Sequence, residues 1–396
     1  MILQSVPLPP LSSDETVHAA AVEACIVRDI AATPGGWIPF SRYMELALYA
    51  PGLGYYSAGA QKFGRSGDFI TAPGLTPLFA CCLATQVAEV LDLLDGGDVL
   101  EFGAGSGMLA ADLLAVLAAR GKLPERYRIL EVSGELRERQ RRLLAERVPS
   151  LGDRIEWLDS LPAGPWRGVV LANEVVDALP VDRFRVSATG VFDIGVSAAD
   201  GRLAWSERPA HDGTLEALRH IERDLPWPLA DGFTGELRLR DRAWLLGIAA
   251  QLARGMVLLV DYGLPRRQFY HLDRAEGTLR CYFRHRQYTD PLLHPGLADI
   301  TASVDFTTLA EAAADAGLAV AGFATQAHFL MSLGLEREFA EHAASLDAAG
   351  RTALGQAVAT LLLPGEMGER FKVLALTRGI EMPLSGFAFR DLAATL

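Results

Sequence analysis

The sequence predicts an α/β protein built on a doubly wound, Rossmann-like parallel sheet, and three observations carry that prediction. First, Asp98-Val-Leu-Glu-Phe-Gly-Ala-Gly-Ser-Gly-Met-Leu-Ala-Ala-Asp-Leu-Leu114 reads as a strand, a tight glycine turn and a helix. Second, residues 169–172 and 256–260 are apolar throughout instead of alternating, as strands buried on both faces are. Third, helical patterns separate these strands, which is the alternation of a parallel sheet. At 396 residues the chain is long enough for two domains or for one decorated domain.

The elements follow in order. Residues 1 to about 12 are proline-rich and read as loose chain. A helix is expected from Asp14, with Ser12 and Ser13 as caps and Glu15 in its first turn, ending at Thr33-Pro-Gly-Gly36. A second helix begins near Ser41. The stretches Tyr49-Ala-Pro-Gly-Leu-Gly-Tyr-Tyr56 and Gly64-Arg-Ser-Gly-Asp-Phe-Ile-Thr-Ala-Pro73 form a long loop whose aromatics suit a binding surface. A helix from Leu75 to about Leu94 feeds the glycine-turn strand.

After the turn, a helix runs to about Arg120. Tyr127-Arg-Ile-Leu-Glu-Val-Ser133 is the second strand, with Glu131 at its end, where an acidic residue either binds ribose hydroxyls or caps the next helix. The charged helix from Arg137 to Arg147 reads as a solvated face. A third strand, Arg154-Ile-Glu-Trp-Leu-Asp-Ser160, ends in Asp159, an acceptor for an adenine amino group or a simple turn residue. A fourth strand begins at Gly168 and delivers Asn173, Glu174 and Asp177 to its carboxyl end, where open α/β sheets bind ligands.

Beyond Phe184 the pattern changes. Val191-Phe-Asp-Ile-Gly-Val and Arg202-Leu-Ala-Trp flank Asp200-Gly201 as a β-hairpin, within an insertion at about 190–240. A helix from Asp241 to Leu252 leads into the fifth buried strand, which ends at Asp261-Tyr-Gly263. Helices at 307–316 and 336–344, and strands at 319–323 and 371–377, complete the sheet. His285, alone in a loop, reads as structural.

Composition sets limits. The net charge of -12 argues against a nucleic-acid partner held by phosphate neutralisation. Cys25, Cys81, Cys82 and Cys281 form no C-x-x-C pair, so no metal site is expected and the thiols read as free in a reducing compartment. No apolar run reaches the roughly 18 residues of a membrane span. Met1-Ile-Leu-Gln-Ser-Val-Pro-Leu-Pro-Pro10 has neither a basic signal start nor an Arg-rich transit pattern, so a cytoplasmic protein is expected.

The glycine spacing is G-x-G-x-G, not the dinucleotide G-x-G-x-x-G, and Glu101 precedes it. A carboxylate there repels a pyrophosphate and attracts an ammonium or sulfonium group. The turn resembles the first motif of class I S-adenosylmethionine methyltransferases. Further motifs extend the likeness: Ala47-Leu-Tyr-Ala-Pro-Gly-Leu-Gly-Tyr-Tyr56, Gly67-Asp-Phe-Ile-Thr-Ala-Pro73, Asn173-Glu-Val-Val-Asp-Ala-Leu-Pro180, Val260-Asp-Tyr-Gly263, Asp299-Ile-Thr301 with Val304-Asp-Phe306, and Arg370-Phe-Lys-Val-Leu374. In this order they resemble the MidA / NDUFAF7 family of S-adenosylmethionine-dependent methyltransferases, over about residues 38 to 378.

The resemblance implies a seven-stranded class I methyltransferase sheet with an N-terminal helical extension and a β-rich insertion. The expected division is 1–75, the extension and a cofactor-covering loop, and 76–396, the core. It implies S-adenosyl-L-methionine as cofactor and a protein substrate, by analogy an arginine of a respiratory complex I subunit. Gly103, Ala104, Gly105 and Gly107 are expected around the methionine portion, Glu101 near its ammonium, Glu131 and Val132 at the ribose, and Asp159 and Ser160 near the adenine. Gly67, Asp68, Phe69 and Thr71 are expected to close over the cofactor, with Asn173 also binding it. Glu174 and Asp177 are the candidates to orient an arginine guanidinium. Two positions depart from the family pattern: Gly74 replaces an acidic residue and Ser303 a histidine. Three alternatives stand beside this reading: a cofactor-binding assembly or scaffold protein without turnover, a small-molecule methyltransferase, and an NAD-dependent oxidoreductase, which the glycine spacing disfavours.

Overall fold

The structure is a computed structural model, and it describes residues 8–58 and 71–396. Gly67, Asp68 and Phe69 lie outside the described residues. The chain divides into two compact units that do not follow the expected break at residue 75. One comprises Met1–Phe69, Asp177–Asp241 and Leu264–Asp305, and the other Ile70–Val176, Arg242–Gly263 and Phe306–Leu396. The insertion thus belongs with the N-terminal extension and a third, later segment, not with the core.

The second unit holds the parallel sheet. Its strands are β1 (Asp98–Phe102), β2 (Tyr127–Leu130), β3 (Ile155–Leu158), β4 (Trp166–Asn173), β5 (Leu252–Leu264), β6 (Ala319–Thr325) and β7 (Phe371–Arg378). They run in the order β6-β7-β5-β4-β1-β2-β3. β5, β4, β1, β2 and β3 are mutually parallel, while β7 is antiparallel to both β5 and β6. The chain winds outward from β1 to β3, then restarts at β4 on β1's other side. That reversal opens a crevice at the carboxyl ends of β1 and β4, where open sheets bind ligands.

Both faces of the sheet are buried, as the unbroken apolar runs require. Val99, Tyr127, Ile129, Val169, Leu171, Met256, Leu258, Val373 and Ala375 share one core with the helices Leu78–Leu94 and Met108–Ala119. The alternate residues Leu100, Val170, Val257, Leu259 and Leu374 are buried on the other face, each at 2% exposure or less. Each such side chain contributes roughly 1.5–3 kcal/mol relative to leaving it in water. Phe102 meets the Trp244 ring edge-on at 5.3 Å.

The first unit is built differently. Its first helix, Ser13–Ala32, opens with a capping box: Ser12 accepts from the Glu15 N–H, and Glu15 accepts from the Ser12 N–H. Helix Phe40–Tyr49 follows the short strand Trp37–Pro39. That strand joins an antiparallel sheet with Asp182–Ser187, Gly190–Ala199, Arg202–Pro209 and Thr234–Leu237. The expected hairpin is present and longer than its apolar segments suggested. Asp200 and Gly201 turn it with φ of 50° and 76°, the left-handed pair that such two-residue turns need. A small sheet of Arg280–Phe283, Arg286–Tyr288 and Asp299–Thr301 completes the unit.

Candidate functional site

The glycine turn leaves β1 at Phe102 and is tied at once to β2, because the Gly103 N–H donates to the Leu130 carbonyl at 3.0 Å. Gly103, Gly105 and Gly107 have φ of 57°, 53° and 85°, a region that costs an L side chain about 1–2 kcal/mol. Gly107 caps the helix Met108–Ala119 and offers no side chain to its first N–H groups. A Cβ at Gly107 would sit 3.3 Å from the Gln140 Cα, so the neighbouring helix packs directly on the turn. Ala104 is buried within the turn.

Two carboxylates stand at the ends of β1 and β2. Glu101 is buried at 3% exposure, and the Tyr127 phenol donates to its Oε2 at 2.7 Å. Burial pushes the Glu101 carboxyl up to about 7, with the tyrosine donor pulling the other way. Glu131 is 4% exposed. Its Oε1 accepts from the Ser133 N–H at 2.9 Å and its Oε2 from Gln140 Nε2 at 3.1 Å. Burial raises the Glu131 carboxyl, and these two donors restrain the rise. Val132, next along, is 66% exposed, an apolar side chain turned to solvent beside a buried acid. Asp159 and Ser160 lie just past β3 and are exposed; Asp159 pairs with Arg137 at 2.7 Å.

At the end of β4, Asn173 Nδ2 donates to Glu174 Oε1 at 3.2 Å. Glu174 has φ 54°, uncommon for a residue with a Cβ, and its N–H donates to the Val260 carbonyl at 2.9 Å. The turn is gripped from β5. Asp261, fully buried, accepts from the Val175 and Val176 N–H groups at 3.2 and 2.9 Å through Oδ2, and from the Tyr262 N–H through Oδ1. Asp177 falls in the other unit, where its carbonyl accepts from the Ala302 N–H at 3.0 Å. Thr71 precedes the single helical turn Ala72–Leu75.

Sequence reading missed Tyr127, Gln140 and Asp261 as parts of this arrangement. Gly134–Arg147 does carry a solvated charged face, with Glu138, Arg141, Arg142 and Glu146 exposed, but a stripe of Leu136, Gln140 and Leu144 is buried along its other side. Their i, i+4, i+8 spacing was the available signal, with a glutamine where a third leucine would be ordinary. Arg137 also points inward, donating to the Glu131 and Leu158 carbonyls at 2.6 and 2.7 Å.

These groups fit S-adenosylmethionine by their donor and acceptor chemistry. The turn admits close backbone approach because three positions lack a Cβ. Glu131 offers acceptor oxygens for hydroxyl donors, Val132 an apolar wall, and Glu101 a buried counter-charge. The Asn173 Oδ1 is buried without a hydrogen-bond partner among the described residues, an acceptor that matches an ammonium donor. The four cysteines are free, and burial raises the thiols of Cys81, Cys82 and Cys281.

Comparison with known proteins points the same way. A family model of S-adenosyl-L-methionine-dependent methyltransferases matches residues 82–324. The mitochondrial protein arginine methyltransferase NDUFAF7 of Mus musculus is 31% identical over 382 residues, covering 86% of this chain and 81% of its own. The mitochondrial homologue from Drosophila melanogaster is 28% identical over 386 residues, covering 89% and 86%. A crystal structure of a Burkholderia thailandensis protein bound to S-adenosyl-homocysteine is 44% identical, with a TM-score of 0.92 over 98% of this chain and 100% of that one. The cytoplasmic expectation is overturned by these comparisons, since the curated relatives are mitochondrial proteins. No helix among the described residues is long and apolar enough to cross a membrane.

Proposed function

This chain belongs to the MidA / NDUFAF7 family of S-adenosylmethionine-dependent methyltransferases, and from that premise we propose that it methylates an arginine side chain of a protein. The observation that carries this reading is Glu174, a carboxylate at the end of β4 in a left-handed backbone conformation, its N–H on the Val260 carbonyl and the next two residues held by buried Asp261. The relatives named protein arginine methyltransferases support it along most of the chain's length. By the same resemblance, a respiratory complex I subunit is the acceptor proposed.

S-adenosylmethionine supplies an electrophilic methyl group on a sulfonium; the protein's part is position and electrostatics. The backbone of Gly103, Ala104, Gly105 and Gly107 wraps the methionine portion. Glu101 and the unpartnered Asn173 oxygen take its ammonium. Glu131 accepts the ribose hydroxyls beside Val132, and Asp159 and Ser160 lie towards the adenine. Thr71, just before the helical turn Ala72–Leu75, is proposed to lie beside the bound cofactor.

The acceptor presents a chemical obstacle. A guanidinium is protonated at physiological pH and is a poor nucleophile in that form. Glu174 orients it through planar, charge-assisted hydrogen bonds and draws positive charge away from the attacking nitrogen. Transfer of the methyl group to that nitrogen would break the sulfonium S–C bond, leave S-adenosylhomocysteine as a neutral thioether and release a proton from the nitrogen, which the Glu174 carboxylate would receive.

The test is product identity. The protein is incubated with methyl-labelled S-adenosylmethionine and complex I subunits, and the acid hydrolysate is separated. Label in methylarginine is the expected result. Label in methyllysine, or label released as volatile methanol from methyl esters, removes the arginine assignment, and absence of label over many cofactor equivalents favours a scaffold without turnover.

A further inference from the structure

We propose that Gln140 is a positioning residue of the cofactor site, holding the Glu131 carboxylate and the glycine turn in one fixed arrangement. The inference rests on the ribose assignment of Glu131 made above and adds what keeps that carboxylate in place.

Gln140 is fully buried, midway along Gly134–Arg147. Its amide has one consistent orientation. The Trp157 indole N–H, which can only donate, meets Oε1 at 2.9 Å. The amide NH2 therefore faces away, and it meets two acceptors: the Gly105 carbonyl at 3.0 Å and Glu131 Oε2 at 3.1 Å. Both of its protons and its oxygen are used. One side chain thus connects the turn after β1, the carboxylate after β2 and the indole on β3.

The surroundings fix this side chain in turn. The Arg141 guanidinium lies 5.0 Å from the Trp157 ring centroid. Arg137, one helical turn before, clamps the backbone ends of β2 and β3 through the Glu131 and Leu158 carbonyls. Gly107 lets the helix approach, since any Cβ there would press on Gln140 Cα and Cγ at 3.3 Å. With the Ser133 N–H on one Glu131 oxygen and Gln140 on the other, the carboxylate is held from both sides in one orientation, as reading two vicinal hydroxyls requires. A glutamate at 140 would set an acceptor against two acceptors, and a methionine would leave both carbonyl and carboxylate without their donor.

The experiment is calorimetric titration of S-adenosylhomocysteine, and of its 2′-deoxyribose analogue, into the wild type, Gln140→Met, Glu131→Gln and the double variant. Gln140→Met is expected to bind S-adenosylhomocysteine about 10-fold or more weakly, the loss of one hydrogen bond to a charged group. It is also expected to discriminate less between the two ligands, because the carboxylate that reads the hydroxyl is no longer held. The double variant is expected to be no weaker than the weaker single variant, as residues acting through one contact are not additive. General loosening of the fold would weaken both ligands equally. Trp157→Phe, which removes only the donor orienting the amide, is expected to show the same loss of discrimination, smaller in size, and serves if Gln140→Met does not fold. Wild-type affinity and discrimination in Gln140→Met, or multiplying penalties in the double variant, overturn the proposal while leaving Glu131 in place. Unchanged affinity in Glu131→Gln removes the ribose assignment itself, and this proposal with it.

Discussion

Glu101 concentrates the electrostatics of the site in one residue. It is buried against Tyr127, and its carboxyl rises from the ordinary 4.5 to about 7. A carboxyl raised by folding is most favourable while neutral. The stability it contributes is complete below pH about 4.5 and is lost as pH climbs through 7, a change on the order of 3 kcal/mol. If Glu101 takes the ammonium as proposed, cofactor binding runs the opposite way, because an ammonium needs the ionised carboxylate. Affinity for S-adenosylhomocysteine is therefore expected to rise between pH 6 and 8, and Glu101→Gln to bind weakly with that rise abolished. Titrations at several pH values check it; a flat profile in the wild type would remove the ammonium role. Gly107 gives a second prediction at this scale. Its φ of 85° strains any L side chain, and a Cβ there would make Gln140 give way by a few tenths of an ångström. Gly107→Ala is expected to cost about 1–2 kcal/mol in backbone strain, read as a lowered melting temperature, together with weaker cofactor binding.

At the scale of elements, the strands were the most legible part. Runs such as Val-Val-Leu-Ala at 169–172 admit few readings once glycine turns and acids bound them, and β4 and β5 appear where those runs lie. Helix ends with strong caps, such as Ser12 with Glu15, were equally plain. Ala348–Leu362 was not foreseen: it carries Gly350 and Gly355, and only Leu361 is buried, so its apolar stripe is faint. In Gly134–Arg147 the solvated charges were legible but the inner side was not, because arginine is read by its charge, while Arg137 uses its donors on two carbonyls at strand ends. The grip of β5 on the turn after β4 was also invisible, since Asp261 and residues 175–176 are far apart in sequence. Asp261→Asn keeps the shape but replaces one acceptor oxygen with a donor. It is expected to cost about 1–3 kcal/mol of stability, and to reduce methyl transfer more than cofactor binding, as a comparison of turnover with calorimetric affinity would reveal.

For the whole molecule, sequence order concealed the grouping of segments. The unit holding Met1–Phe69 also takes Asp177–Asp241 and Leu264–Asp305, and no composition shift marks those boundaries. They are set by pairings such as Trp37–Pro39 with Gly195–Ser197, which join residues more than 150 positions apart. Tyr56 likewise donates to Asp299 Oδ1 at 2.9 Å, uniting two sequence motifs within that unit. The family and its cofactor were legible because the chemistry is local: a glycine turn, an acid before it and an acid after the next strand. The acceptor is written in no such motif.

We propose that Glu174 serves the methyl acceptor and not the cofactor, and Glu174→Gln, assayed in parallel for S-adenosylhomocysteine affinity and for methylarginine formed per enzyme, tests that role. Affinity near that of the wild type is expected, with methylarginine reduced by at least about 100-fold, the scale of a lost proton-accepting group. Wild-type turnover, or a fall in turnover matched by an equal fall in cofactor affinity, would contradict it.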